Sequence, residues 1–187
     1  VLGFNNSGLY INASGNVHTV ANSIFSGSPY YGVDVESYIN ISFDNCQFTD
    51  NQYGVYFRGY NSTVIENSLF QNNTSYGIRT ALAAYNTINN CDFLNNGTGF
   101  FAYENSILSN ITNSSFINNN YAVQGPNNQQ GRTNLYNCRI PVWRMTNLQS
   151  IPGWAPAGTG IWKVLPSGVW TCKTCPAATP CGIVMFI

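Results

Sequence analysis

The reactive side chains of this 187-residue chain are few: six Cys, one His, seven Asp+Glu and seven Lys+Arg. Cys172, Cys175 and Cys181 lie together in a stretch rich in Pro and Ala. With Cys138 they are the candidates for two disulfides, or for a single one with thiols to spare. A four-thiolate zinc site is the sharper alternative, but the second Cys-x-x-Cys that such sites use is missing, so no metal is expected. His18 has no second histidine to make a copper or zinc pair and reads as an ordinary side chain. Acid–base catalysis needs converging carboxylates. The available ones are Asp34, Glu36, Asp44, Asp50, Glu66, Asp92 and Glu104, and no catalytic residue is assigned among them.

Asn-x-Ser/Thr sequons are the strongest functional hint. They stand at Asn5, Asn12, Asn40, Asn61, Asn72, Asn73, Asn96 and Asn110, read as corner or loop positions able to carry N-glycans in an exported chain. A further sequon at Asn113 is set aside, because its place in the repeat described below is expected to bury it.

Only 7% of residues are charged and the net charge is zero, which disfavours nucleic acid as a partner, since little is available to displace counterions from phosphates. No run of 18 apolar residues exists, so no transmembrane helix is expected. Asn is the outlier at 28 residues, so the polar surface is amide and hydroxyl. A surface with no net charge tends to associate. Val1 follows a cleaved leader or begins inside a longer polypeptide.

The elements that position these residues come from a repeat. Asn22-x-x-Phe25 recurs as Asn45/Phe48, Asn67/Phe70, Asn90/Phe93 and Asn113/Phe116, and again as Asn137/Ile140, with Asn-to-Asn spacings of 23, 22, 23, 23 and 24. Two residues before each Asn lies Val20, Phe43, Ile65, Ile88, Ile111 or Leu135. In a strand, residues i and i+2 share a face. Phe43 and Phe48 can therefore both point inward only if the chain bends after Asn45, and Asn tolerates the left-handed conformation of such a bend. A second register, Gly8, Gly32, Gly54, Gly77 and Gly99, is read as a second corner. Tyr31, Tyr53, Tyr76 and Tyr121 stand just before such openings, with Thr98 at the fifth. Short strands with fixed corners every 22–24 residues predict an all-β parallel β-helix of about six coils, with Asn and Phe ladders running along it.

The Asn-x-x-Phe and Gly-Val/Ile ladders over residues 8–140 resemble the right-handed parallel β-helix repeat proteins, a group that includes pectin-lyase-like enzymes, NosD-like proteins and archaeal surface proteins. The resemblance implies a right-handed coil. The catalytic motifs of its lyases and polygalacturonases are missing, and the lone His18 gives no support to a copper role.

In this register Cys46, Cys91 and Cys138 share one position on alternate coils, too far apart for disulfides and alternating with Ser23, Ser68 and Ser114 as small inward filler. Asp44 and Glu66 share an outward position on adjacent coils. Arg58 and Arg79 fall on successive coils, one position apart. Residues 1–7 are read as an edge or incoming strand, 8–140 as the β-helix, and 141–187 as a cap and assembly segment holding all four Trp. A hairpin is expected around Pro166-Ser167.

The expectation is an extracellular, non-catalytic structural protein without cofactor, a self-assembling subunit of a filament, sheath or surface layer. Its partners are copies of itself and covalent N-glycans, with extracellular polysaccharide a further candidate. Gly182, Ile183, Val184, Met185, Phe186 and Ile187 form the strand offered to a neighbour. The alternative is a polysaccharide lyase or carbohydrate-binding adhesin using the tyrosine stripe.

Overall fold

A left-handed residue at each turn decides the path of the chain. Asn22, Asn45, Asn67, Asn90, Asn113 and Asn137 all have φ between 50 and 52°. Each ends one strand and swings the next by a corner, as the inward phase of Phe43 and Phe48 requires. The computed structural model describes residues 7–12, 15–36, 39–59, 62–81, 85–103, 108–124, 132–140, 162–164 and 170–172.

Five complete coils follow one another. They are β1 (Ser7–Ile11), β2 (Gly15–Ala21) and β3 (Ile24–Ser26); β4 (Tyr31–Val35), β5 (Ile39–Asp44) and β6 (Gln47–Thr49); β7 (Tyr53–Phe57), β8 (Ser62–Glu66) and β9 (Leu69–Gln71). The fourth and fifth are β10 (Tyr76–Thr80), β11 (Tyr85–Asn89) and β12 (Asp92–Leu94), then β13 (Thr98–Ala102), β14 (Leu108–Thr112) and β15 (Ser115–Ile117). A sixth contributes β16 (Tyr121–Gln124) and β17 (Arg132–Tyr136). Equivalent strands stack in parallel into a six-stranded sheet from β1 to β16, a second sheet running from β2 to β17, and a five-stranded sheet from β3 to β15. β18 (Trp162–Val164) pairs antiparallel with β17 and with β19 (Trp170–Cys172), which ends the parallel run; the turn expected around Pro166-Ser167 lies outside the described residues.

The core fills the prism between the three sheets. Phe25, Phe48, Phe70, Phe93 and Phe116 stack at centroid spacings of 5.4, 4.7, 4.8 and 4.5 Å, nearly parallel. Phe43, Ile65, Ile88 and Ile111 are buried beside them. The expected Phe ladder is therefore present.

Two expectations need correction. The glycine register is not a corner. Gly54 and Gly77 lie inside strands, and a Cβ on Gly77 would stand 2.6 Å from the Gly99 carbonyl oxygen of the next coil. Glycine is required there by close approach, not by a turn. The second corner lies five residues after each ladder Asn, at Gly27, Asp50, Asn72, Asn95 and Asn118, all with positive φ. The Asn ladder from Asn22 to Asn137, including Asn113, is also solvent-exposed rather than buried. Its amides bond outside the prism, Asn45 Nδ2 donating to Asn22 Oδ1 at 2.7 Å and Asn90 Nδ2 to Asn67 Oδ1 at 2.8 Å.

The buried amide ladder is a different one, formed by Asn51, Asn73, Asn96 and Asn119. Asn73 Nδ2 donates to Phe48 O at 2.9 Å, and its Oδ1 accepts from the backbone N–H of Asn51 at 3.2 Å. Asn96 and Asn119 repeat the pattern one coil further on each time. Replacing Asn73 by Leu removes the side-chain bond to the Phe48 carbonyl, which keeps its β6–β9 ladder bond, and leaves the buried backbone N–H of Asn51 without a partner. The expected loss is about 1–3 kcal/mol in urea unfolding, whereas Asn67→Gly, which keeps the left-handed corner, changes stability by less than about 1 kcal/mol.

Candidate functional site

The outer face of the six-stranded sheet gathers the largest set of polar aromatic and charged side chains among the described residues. Parallel register puts Tyr10, Asp34, Tyr56, Arg79, Phe101 and Gln124 in one column. Tyr31, Tyr53, Tyr76, Thr98 and Tyr121 form a second column at the strand entrances. Tyr31 and Tyr53 are 5.1 Å apart and Tyr53 and Tyr76 5.3 Å apart, centroid to centroid, so these rings spend much of their faces on one another. The expected tyrosine stripe exists as a packed ladder for three members. Tyr121 stands at its far end beyond Thr98.

Two arginines are set into these rings. The Arg58 guanidinium lies 5.2 Å from the Tyr31 ring and 5.1 Å from that of Tyr56, within cation–π range. It donates to Asp34 Oδ2 at 2.6 Å and faces Glu36 Oε2 at 3.8 Å. Glu36 in turn accepts from the Tyr10 hydroxyl at 2.9 Å. Burial pushes the Asp34 carboxyl above its ordinary range, and Arg58 only partly opposes it. Burial, the largest single influence, pulls Arg58 down, but Asp34, Tyr31, Glu36 and Tyr56 together outweigh it and leave it raised. Arg79 is placed differently: it is 4.9 Å from both Tyr56 and Tyr103, and 5.7–5.9 Å from Tyr76, Tyr53 and Phe101. Among the described residues no carboxylate pairs with it, and its Nε is buried without a partner. Arg79 stands opposite Tyr56, so it is two register positions from Arg58, not one as the repeat spacing suggested. Tyr56, Phe101 and Tyr103 escaped the sequence reading, and Asp34 entered it only as an available carboxylate, because strict alternation puts i and i+3 on opposite faces. The signal for all but Tyr103 was the recurring i, i+3 pair Tyr31/Asp34, Tyr53/Tyr56, Tyr76/Arg79 and Thr98/Phe101.

The other assigned residues lie elsewhere. Asp44 and Glu66 are paired neighbours on the outer face of the sheet built from β2, β5 and β8, as expected. Asp44 accepts from Asn67 Nδ2 at 2.7 Å. His18 is exposed on β2. Cys46, Cys91 and Cys138 are free, buried thiols. Cys138 is thereby corrected as a disulfide candidate: its Sγ donates inside the coil to Ile111 O at 3.4 Å. Between them, Ser68 and Ser114 accept from the backbone N–H of Cys46 and Cys91, each at 3.1 Å. The side chain of Cys172, with Cys175, Cys181 and the Gly182–Ile187 strand, lies outside the described residues. So do Asn5 and Asn61.

Of the sequons, Asn12, Asn40 and Asn72 are exposed and Asn110 is half-buried. Asn73 and Asn96 are corrected: both belong to the buried ladder, and each Nδ2, the atom a glycan would occupy, donates to a carbonyl and to the next ladder amide. Asn113, set aside as buried, is exposed.

These ladders and sheets define a parallel β-solenoid. The family described as right handed beta helix region matches residues 1–140, and the chain belongs to that family. No curated protein and no solved structure matches it. No helix among the described residues is long and apolar enough to cross a membrane.

Two outcomes follow. Glycopeptide mass spectrometry of protein from its native source should find no glycan at the buried Asn73 or Asn96, which restricts any glycan to exposed sequons such as Asn12, Asn40 and Asn72. Burial lifts the Cys91 thiol to about 12 from an ordinary 9.0, so the folded chain keeps a proton that the unfolded chain releases. That contribution is complete below pH 9.0 and is lost as pH rises toward about 12. Cys91→Ser, which copies the Ser of the neighbouring coils, should flatten the alkaline fall in thermal stability over that window.

Proposed function

We propose that this chain is an exported structural protein, a self-assembling subunit of a filament, sheath or surface layer that carries N-glycans. The observation that carries the reading is the outer face of the six-stranded sheet. Tyrosine and arginine are the residues that protein–protein interfaces enrich and rely on most, and here they are held rigid before any partner arrives. Rings already stacked on their neighbours lose little side-chain entropy on docking. The near-absence of charge elsewhere weakens the repulsion that keeps ordinary proteins apart. Gly182–Ile187 is the strand that a neighbouring subunit would receive.

A polysaccharide-binding or polysaccharide-cleaving protein is the second reading. It is favoured by Tyr10, Tyr30 and Tyr121, which are 46, 47 and 38% exposed and could stack on sugar rings. Tyr31, Tyr53 and Tyr76 offer less, since their ring faces are largely taken.

Electron microscopy of the protein from its native source tests the first reading. Ordered filaments or sheets of one repeating subunit are expected, and deletion of residues 182–187 should abolish them while far-UV circular dichroism still reports the β-helix. Dispersed monomers would overturn it and turn attention to polysaccharide binding and cleavage.

A further inference from the structure

We propose that the tyrosine–arginine face docks side by side against the opposite flank of a second copy of this chain, with Arg79 pairing with Asp44 and Glu66 of that copy; this rests on the self-assembly reading above. Arg79 is the incomplete member of the face. Arg58 is neutralised by Asp34 and Glu36 on its own chain, whereas among the described residues Arg79 has aromatic neighbours and no carboxylate. A guanidinium held this way is pre-positioned to accept a carboxylate from outside, in a partly desolvated surrounding where such a pair is strong.

The same chain carries the complement. Asp44 and Glu66 stand next to each other at the ends of β5 and β8. Among the described residues neither meets a cation, their contacts being the amides of Asn67 and Asn89 at 2.7 and 3.5 Å. Glu66 belongs to the third coil and Arg79 to the fourth. Two parallel rods offset by one coil, about 5 Å, therefore bring the two charges level. The contact joins two different flanks of the prism. It is heterologous and does not close on itself, so it propagates into rows of rods.

The test is charge exchange in the 187-residue chain, with assembly followed by light scattering and electron microscopy. Arg79→Glu alone, and Asp44→Lys with Glu66→Lys alone, should each raise the concentration needed for assembly at least about tenfold. Mixing the two variants should restore assembly, because each acidic face then meets a basic one. Circular dichroism checks that the coils persist. Should Arg79→Glu fail to fold in its aromatic surround, Arg79→Gln and the Asp44/Glu66 variant carry the test. If the wild-type chain assembles and the variants assemble equally well, or the mixture does not recover, this contact is wrong while self-assembly stands. A wild-type chain that never assembles overturns both.

Discussion

The buried ladder of Asn51, Asn73, Asn96 and Asn119 is the constraint on which the rest of the solenoid depends. A coil that turns a corner every few residues leaves backbone N–H groups at the bend that no strand ladder reaches, and buried polar groups without partners are expensive. Each ladder amide, as at Asn73, meets that demand and two others at once. It caps a Phe carbonyl one coil back, accepts a backbone N–H, and links to the next ladder amide. Because every bond runs to an adjacent coil, the corner is satisfied only when coils are stacked in register. That register in turn aligns the Phe rings at 4.5–4.8 Å over the central coils and the Cys and Ser side chains that alternate beside them.

Corner chemistry also explains why two sorts of Asn coexist. The residues at the left-handed positions, from Asn22 to Asn137 and from Asn72 to Asn118, are there for their backbone, and their amides run along the outside. The residue just after the second corner is there for its side chain. A short three-residue strand between two left-handed positions, such as Leu69–Gln71 between Asn67 and Asn72, gives the Phe a fixed inward direction.

Stacking at coil spacing has a consequence for the outer face as well. Rings in adjacent coils must lie about 5 Å apart, which is also a favourable distance for aromatic packing. The tyrosines on the six-stranded sheet thus pack on each other and on Arg58 and Arg79. The surface they present is stiff and rich in phenol hydroxyls and guanidinium groups.

Repetition made the fold legible. One Asn-x-x-Phe unit would say little, but its recurrence every 22–24 residues, with inward phases that conflict unless the chain bends, leaves a parallel β-helix as the arrangement that buries both Phe43 and Phe48. The alternating Cys and Ser filler and the Asp44–Glu66 pairing followed from that register. Which Asn faces inward did not: Asn72 and Asn73 are adjacent sequons of identical residue type, yet one is exposed and the other buried. Their difference is a single residue of displacement past a left-handed corner, and the sequence carries no mark of which side of the corner turns in. The glycines misled for a related reason, since close approach of a neighbouring backbone and a left-handed turn demand the same residue. The Arg79 site was least legible. Its partners are drawn from three coils and from positions that strict alternation assigns to opposite faces, so only the stacking of one coil on another decided that they meet.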